Sequence, residues 1–180
     1  MRLFGMGKNS GQNELRIGSD GRLWSEANQV PRASKMSWDD QDLWSWVATY
    51  NPDAGDTILL VQNTSATKKL RIDSVALSSD TSSRYVIHCP ATDTSPTGTA
   101  VAAVRLSNPT GGGTPPATAK EDETDNTQAN IIHEGIVLAN TQEVIQYGGG
   151  LVLGYLECVA VDLVTVATLA GATIVGWFEE

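Results

Sequence analysis

The sequence predicts an all-β chain: an antiparallel β-sandwich, jelly-roll-like, with an extended N-terminal arm. Three observations lead there. From Asp56 onward, short apolar or alternating runs recur with turn signals between them. No amphipathic stretch of helical length separates those runs, which argues against a parallel α/β sheet. The composition agrees, since 17 glycines among repeated Thr, Ser, Val and Ala favour strands and turns, and 41% hydrophobic against 18% charged residues suits a folded core rather than a disordered chain. At 180 residues the chain is of ordinary domain size, and a chain of that size buries about 70% of the surface its unfolded form exposes.

Taken in order, the first 55 residues are polar and hold four of the five tryptophans. Within them "LRIGSDGRLW" reads as a small hairpin, with Leu15 and Ile17 facing Leu23 and Trp24 across Asp20-Gly21, a dipeptide that accepts the positive φ of a tight turn. Ser37 followed by Asp39 and Asp40 has the form of a helix cap. Trp44, Trp46, Ala48 and Tyr50, however, recur at every second residue, which predicts a strand from Leu43 onward with three aromatic rings on one face. Such a stripe is either a core face or a contact for a subunit or a sugar ring, because Trp and Tyr supply large contact area at little entropy cost. Asn51 to Asp56 then turns the chain.

Ile58 to Val61 are apolar on both faces, as in a strand covered from both sides. After the turn "QNTSATKK", Leu70 and Ile72 point inward, and a bulge near Ser74 is needed to bring Val75 and Leu77 in as well. Further strands follow at "RYVIHC", "GTAVAAVRL", "NIIHEGIVLAN", "TQEVIQY", "LVLGYLECVAVDLVTV" and "GATIVGWFEE", so that roughly eight strands fill Asp56 to Glu180. Ser107 to Asn130 fits no strand; this stretch of Gly, Pro, Thr and acid is expected as a long loop that packs on something or stays mobile. The organisation expected is thus an N-terminal arm over 1–55, with the hairpin and the Trp-rich strand, and a sandwich over 56–180 with a loop at 107–130.

Chemistry is scarce in this chain. There are two histidines; His88 adjoins Cys89 in a strand, so their side chains leave opposite faces and form no dyad. No metalloprotease, nucleophile-elbow, phosphate-loop or dinucleotide-binding signature is present. Cys89 and Cys158 are too few for a disulfide framework and read as small buried hydrophobes. The acidic run Glu121, Asp122, Glu123 and Asp125 lacks the calcium-loop order and reads as a solvated loop available for contacts. No catalytic residue, metal site or cofactor is expected, and the chain is not expected to be an enzyme. A formal charge of −9 repels phosphate, which excludes nucleic acid and anionic membranes as favoured partners. No membrane-spanning apolar stretch and no signal-peptide core are seen, so the chain is expected to be cytosolic when made.

The second half resembles tailed-bacteriophage virion structural proteins. The residues that carry the likeness are "AGDTILLVQNTSATKKLRIDSVAL", "GTAVAAVRLSNPTGG" with "ATAKEDETDNTQAN", and "VLGYLECVAVDLVTV" with "GATIVGWFEE", in that order over about 125 residues, joined by the "SDGRLW" entry near the start. The resemblance implies a β-sandwich virion component with no catalytic residue or cofactor to carry over. Because the acidic balance disfavours a surface facing dense phosphate, the expected place is the outer capsid surface. The expected role is that of a decoration or cement protein bound to the major capsid protein or another virion protein, as a symmetric homo-oligomer with a trimer as the expected state. The alternative is a neck, tail or head-fibre component that binds host-surface glycans. Trp24, Trp38, Trp44, Trp46 and Tyr50 are the expected partner-binding anchors.

Overall fold

The fold is taken from a computed structural model that describes residues 3–6, 12–17, 23–25, 43–52, 56–89, 96–106, 110, 113–122, 128–165 and 167–180. Every element in it is a strand. The chain divides into two compact units, Met1–Pro31 and Arg32–Glu180.

The first unit is a three-stranded antiparallel sheet of β1 (Leu3–Met6), β2 (Gln12–Ile17) and β3 (Leu23–Ser25). The expected hairpin is β2–β3, with Ile17 opposite Leu23 and Arg16 opposite Trp24, and β1 extends it by a third strand. The Asp20-Gly21 turn lies outside the described residues.

The second unit runs β4 (Leu43–Tyr50), β5 (Thr57–Asn63), β6 (Lys69–Ser79), β7 (Ser83–His88), β8 (Thr99–Ala100), β9 (Ala103–Arg105) and β10 (Ala117–Glu121). It continues with β11 (Ile131–Val137), β12 (Thr141–Leu153), β13 (Cys158–Leu163) and β14 (Ala170–Glu179). One sheet has the order β11-β7-β13-β5-β10-β8 and the other β12-β6-β14-β4-β9. Antiparallel pairs nest from the outside of the chain inward: β4 with β14, β5 with β13, β6 with β12, β7 with β11. A hairpin folded over four pairs in this way is the jelly roll. Strands β8, β9 and β10 come from the connection between β7 and β11 and extend both sheets.

The unit boundary differs from the expected one at residue 55. The Trp-rich strand β4 lies between β14 and β9 inside a sandwich sheet, because its alternation gives it an apolar face to bury there. Two further expectations change. The 107–130 stretch is not all loop: Ala117–Glu121 forms β10 on the edge of β5, where its small alternating side chains suit pairing even without a strongly apolar pattern. "GTAVAAVRL" is not one strand, since β8 pairs in the first sheet and β9 in the second, so the chain crosses between layers there.

The core lies between the sheets. Trp44, Trp46, Leu70, Ile72, Val75, Leu77, Tyr85, Ile87 and Ile174 are all buried in it. In β6 the register against β14 skips Asp73, so Leu70 and Ile72 before it and Val75 and Leu77 after it all reach the core, as their spacing in the sequence requires. β5 is buried on both faces: Leu59 and Val61 join the inter-sheet core, while Leu60 packs with Cys158 and Ala160 on the other side.

Candidate interaction surface

The expected anchors are placed by the fold. Trp44 and Trp46 are 2% and 1% exposed, so the core takes them and no surface is left for a partner. The Arg105 guanidinium lies over the Trp44 ring, 4.8 Å from its centroid. Tyr50 is half-buried and donates its hydroxyl to the Thr57 carbonyl at 2.9 Å. Burial raises its pKa, and the Asp56 and Asp122 carboxylates push the same way. Of Trp24 only the backbone position in β3 is described, and Trp38 lies outside the described residues. Glu121 ends β10 and is half-exposed, Asp122 is exposed with φ of 57°, and Glu123 and Asp125 lie outside the described residues.

The histidines also have assigned neighbours. His88 and Asp162 are buried on the outer side of the first sheet, with His88 Nε2 lying 2.9 Å from Asp162 Oδ2. Thr57 Oγ1 donates to Asp162 Oδ1 at 2.7 Å and Gln128 Nε2 to Oδ2 at 2.9 Å. The Ala129 amide donates to His88 Nδ1 at 3.4 Å, which leaves the ring proton on Nε2, beside the carboxylate but not aligned with it as a hydrogen bond. The group fastens residues 128–130 to the sheet. Cys89, next in the chain, packs against the inter-sheet core, so the two side chains do leave opposite faces. His133 stacks on Tyr85, with Nε2 3.1 Å from its hydroxyl. The Tyr85 hydroxyl pKa is raised first by burial and then by its hydrogen bond to Glu143. Gly135 stands opposite Tyr85 in register, and a Cβ there would lie 2.6 Å from that hydroxyl, so only glycine admits the ring.

Among the described residues, a broad exposed surface is the open face of the second sheet. Register places Val144, Ala76, Thr173 and Val47 in one row across four strands. Gln146, Ser74, Val175, Ser45 and Val104 make the next row, and Gln142, Ser78, Gly171 and Thr49 the row beyond. None of these side chains is charged. Val47 is 55% exposed, Val144 51% and Val104 41%. An antiparallel sheet face turned to water ordinarily carries polar and charged side chains, whereas this one is flat, neutral and dotted with valine. Charges sit at its two ends and in the bulge: Asp80 lies at one end, Lys69 and the Arg71–Glu179 ion pair at the other, and half-buried Asp73, whose carboxyl pKa is raised by burial, is the skipped residue beside Ser74. The signal was present in the sequence as Ser, Thr, Ala and Val at the outward positions of β4, β6 and β14; it needed the bulge at Asp73 to be located before it could be read.

At one end of this face Thr49, Ser78, Asp80, Asn140, Thr141 and Gln142 line a shallow groove of about 390 Å³. Gly171 lies at its floor, where a Cβ would crowd Ser78 Oγ at 3.1 Å and Thr49 Oγ1 at 3.4 Å, so the glycine keeps both hydroxyls accessible to the groove.

Fold and surface together define a two-sheet jelly roll with one neutral open face. In comparison with known proteins, the chain matches no family model, no curated protein and no solved structure.

Proposed function

We propose that this chain is a structural component of a tailed-bacteriophage virion: a decoration or cement protein on the outer capsid surface that binds the major capsid protein, or another virion protein, across subunit boundaries and stabilises the head. The observation that supports it best is the neutral open face. On a chain with a formal charge of −9, that face is where another protein surface docks without burying unpaired charge. A protein that binds only the assembled shell adds its binding free energy to that state, so the particle becomes harder to open. The anchors are then exposed valines of β4, β12 and β9 rather than Trp44 and Trp46.

The test is to compare particles with and without the protein under heat or osmotic shock, and to repeat the comparison with Val47→Lys and Val144→Lys. Particles lacking the protein are expected to rupture sooner, and the two variants to leave the capsid unbound while melting like the parent. Equal robustness with and without the protein removes the cement role.

The groove favours a second reading, that of a neck, tail or head-fibre component binding a host glycan, because hydroxyl and amide groups with the Asp80 carboxylate at the end of a sheet suit the hydroxyls of a neutral sugar. Binding to a panel of host glycans that is lost in Asn140→Ala supports it; indifference to the panel sets it aside.

A further inference from the structure

Among the described residues the strand β11 is the edge of the first sheet and pairs with β7 alone. Proteins blunt such edges with short strands, lysine, proline or covering loops. The opposite edge of this sheet is the two-residue β8, and one edge of the other sheet is the three-residue β9. β11 has seven residues, contains neither lysine nor proline, and carries Ile131 at 54% exposure, Ile132 at 38% and Ile136 at 64%, with Leu138 just beyond at 61%.

Its backbone is also turned outward. Cys89 donates its amide to the Asn130 carbonyl, which marks Ile131 and His88 as a pair without direct ladder bonds. Beyond the register shift at Ile132, the alternation bonds Gly135 to Tyr85 and points the amide and carbonyl of Glu134 and Ile136 away from β7.

We infer that β11 pairs antiparallel with β11 of a second copy about a two-fold axis, joining the two first sheets into one. Charge selects this occupant. Two copies each carrying a formal −9 repel one another over most of their surfaces. The charged side chains on the outward faces of β11 and β7 are Glu134 and Arg84, and they form an ion pair within the chain. A two-fold axis at Gly135 sets Glu134 of each copy opposite Ile136 of the other, in the same row as the other copy's Arg84, so each carboxylate gains a second guanidinium and the two carboxylates do not stand directly opposite. The exposed isoleucines then cover one another on either side. An antiparallel strand pairing is self-complementary, which gives a dimer rather than an open chain and favours two-fold symmetry over a trimer. This contact does not use the neutral open face, so it stands or falls separately from capsid binding.

Sedimentation of the full chain over a concentration series tests it. A dimer is expected, weakened at least 100-fold by Ile136→Lys with an unchanged melting curve. Arg84→Glu is expected to weaken it, and Arg84→Glu combined with Glu134→Arg to restore it. Under mild oxidation the double variant Glu134→Cys with Ile136→Cys, which places the two thiols opposite one another across the axis, is expected to give a cross-linked dimer, whereas Val104→Cys, on the edge strand of the second sheet, is not. A chain that stays monomeric at every concentration, an Ile136→Lys variant that dimerises like the parent, or a cross-link formed through position 104 alone overturns the proposal.

Discussion

Gly149 is held in the left-handed region at φ +79°, and a Cβ added there would run into the six-membered ring of Trp177, which is fully buried. Its neighbour Gly148 has φ +56° with nothing near the Cβ position. Gly149→Ala is therefore expected to cost about 3 kcal/mol from strain and overpacking together, against about 1 kcal/mol for Gly148→Ala from backbone strain alone, read from denaturant unfolding. Asp162 is the acceptor for Thr57 and Gln128 and faces His88. Asp162→Ala removes the acceptor of the buried Thr57 hydroxyl and of the Gln128 amide and is expected to cost about 2 kcal/mol, together with faster amide exchange at residues 128–130. Burial, aided by the Glu157 charge, pushes the Cys89 thiol from 9.0 up to about 11. The unfolded chain thus loses that proton first, so stability is intact below pH 9 and falls as pH rises toward 11. Alkylation of the native protein at pH 8.5 is expected to be much slower at Cys89 than in the unfolded chain. Of these sites the sequence disclosed the opposed faces of His88 and Cys89, since alternation is local. It did not disclose the Asp162 group, whose members lie on β5, β7, β13 and the segment before β11 and meet only after folding.

Among elements, β4 and β6 show how far alternation carries. The stripe Trp44, Trp46, Ala48, Tyr50 predicted a strand with one aromatic face, and β4 is that strand. Alternation alone left open whether the face met a core or a partner, because both environments reward the same rings. The decision came from β14 and β9 flanking β4 within a sheet that packs on the other layer. Trp46→Ala is accordingly expected to destabilise the chain by about 3–5 kcal/mol, with any loss of binding tracking the loss of fold. Val47→Lys is expected to change stability by no more than about 0.5 kcal/mol while disrupting the proposed docking surface. In β6 a single skipped residue, Asp73, reconciles two apolar pairs of opposite parity, and that parity by itself is enough to demand a bulge. β10 is the converse: "ATAKE" has no apolar period, and it became a strand because the exposed edge of β5 offered it a ladder.

For the molecule as a whole, the first and last strands of the sandwich, β4 and β14, are partners, so the fold closes only when the chain's far end returns. Deleting residues 170–180 removes the strand between β4 and β6 and is expected to abolish cooperative unfolding, whereas a chain of residues 32–180 is expected to keep its strand signal and a sharp transition in circular dichroism. Pairings this distant in sequence also predict folding on the millisecond-to-second scale. What the sequence determined by itself is what depends on near neighbours: strand periodicity, the break at Asn51 to Asp56, the need for a bulge, and a charge balance that disfavours phosphate. What only the tertiary structure decided is which strand lies beside which, and hence that Trp44 and Trp46 are core, that a polar loop donates a strand, and that among the described residues a valine-dotted face and an isoleucine edge stay exposed. The physical reason is that a residue's exposure depends on what packs against it, and in a jelly roll those neighbours come from distant parts of the chain.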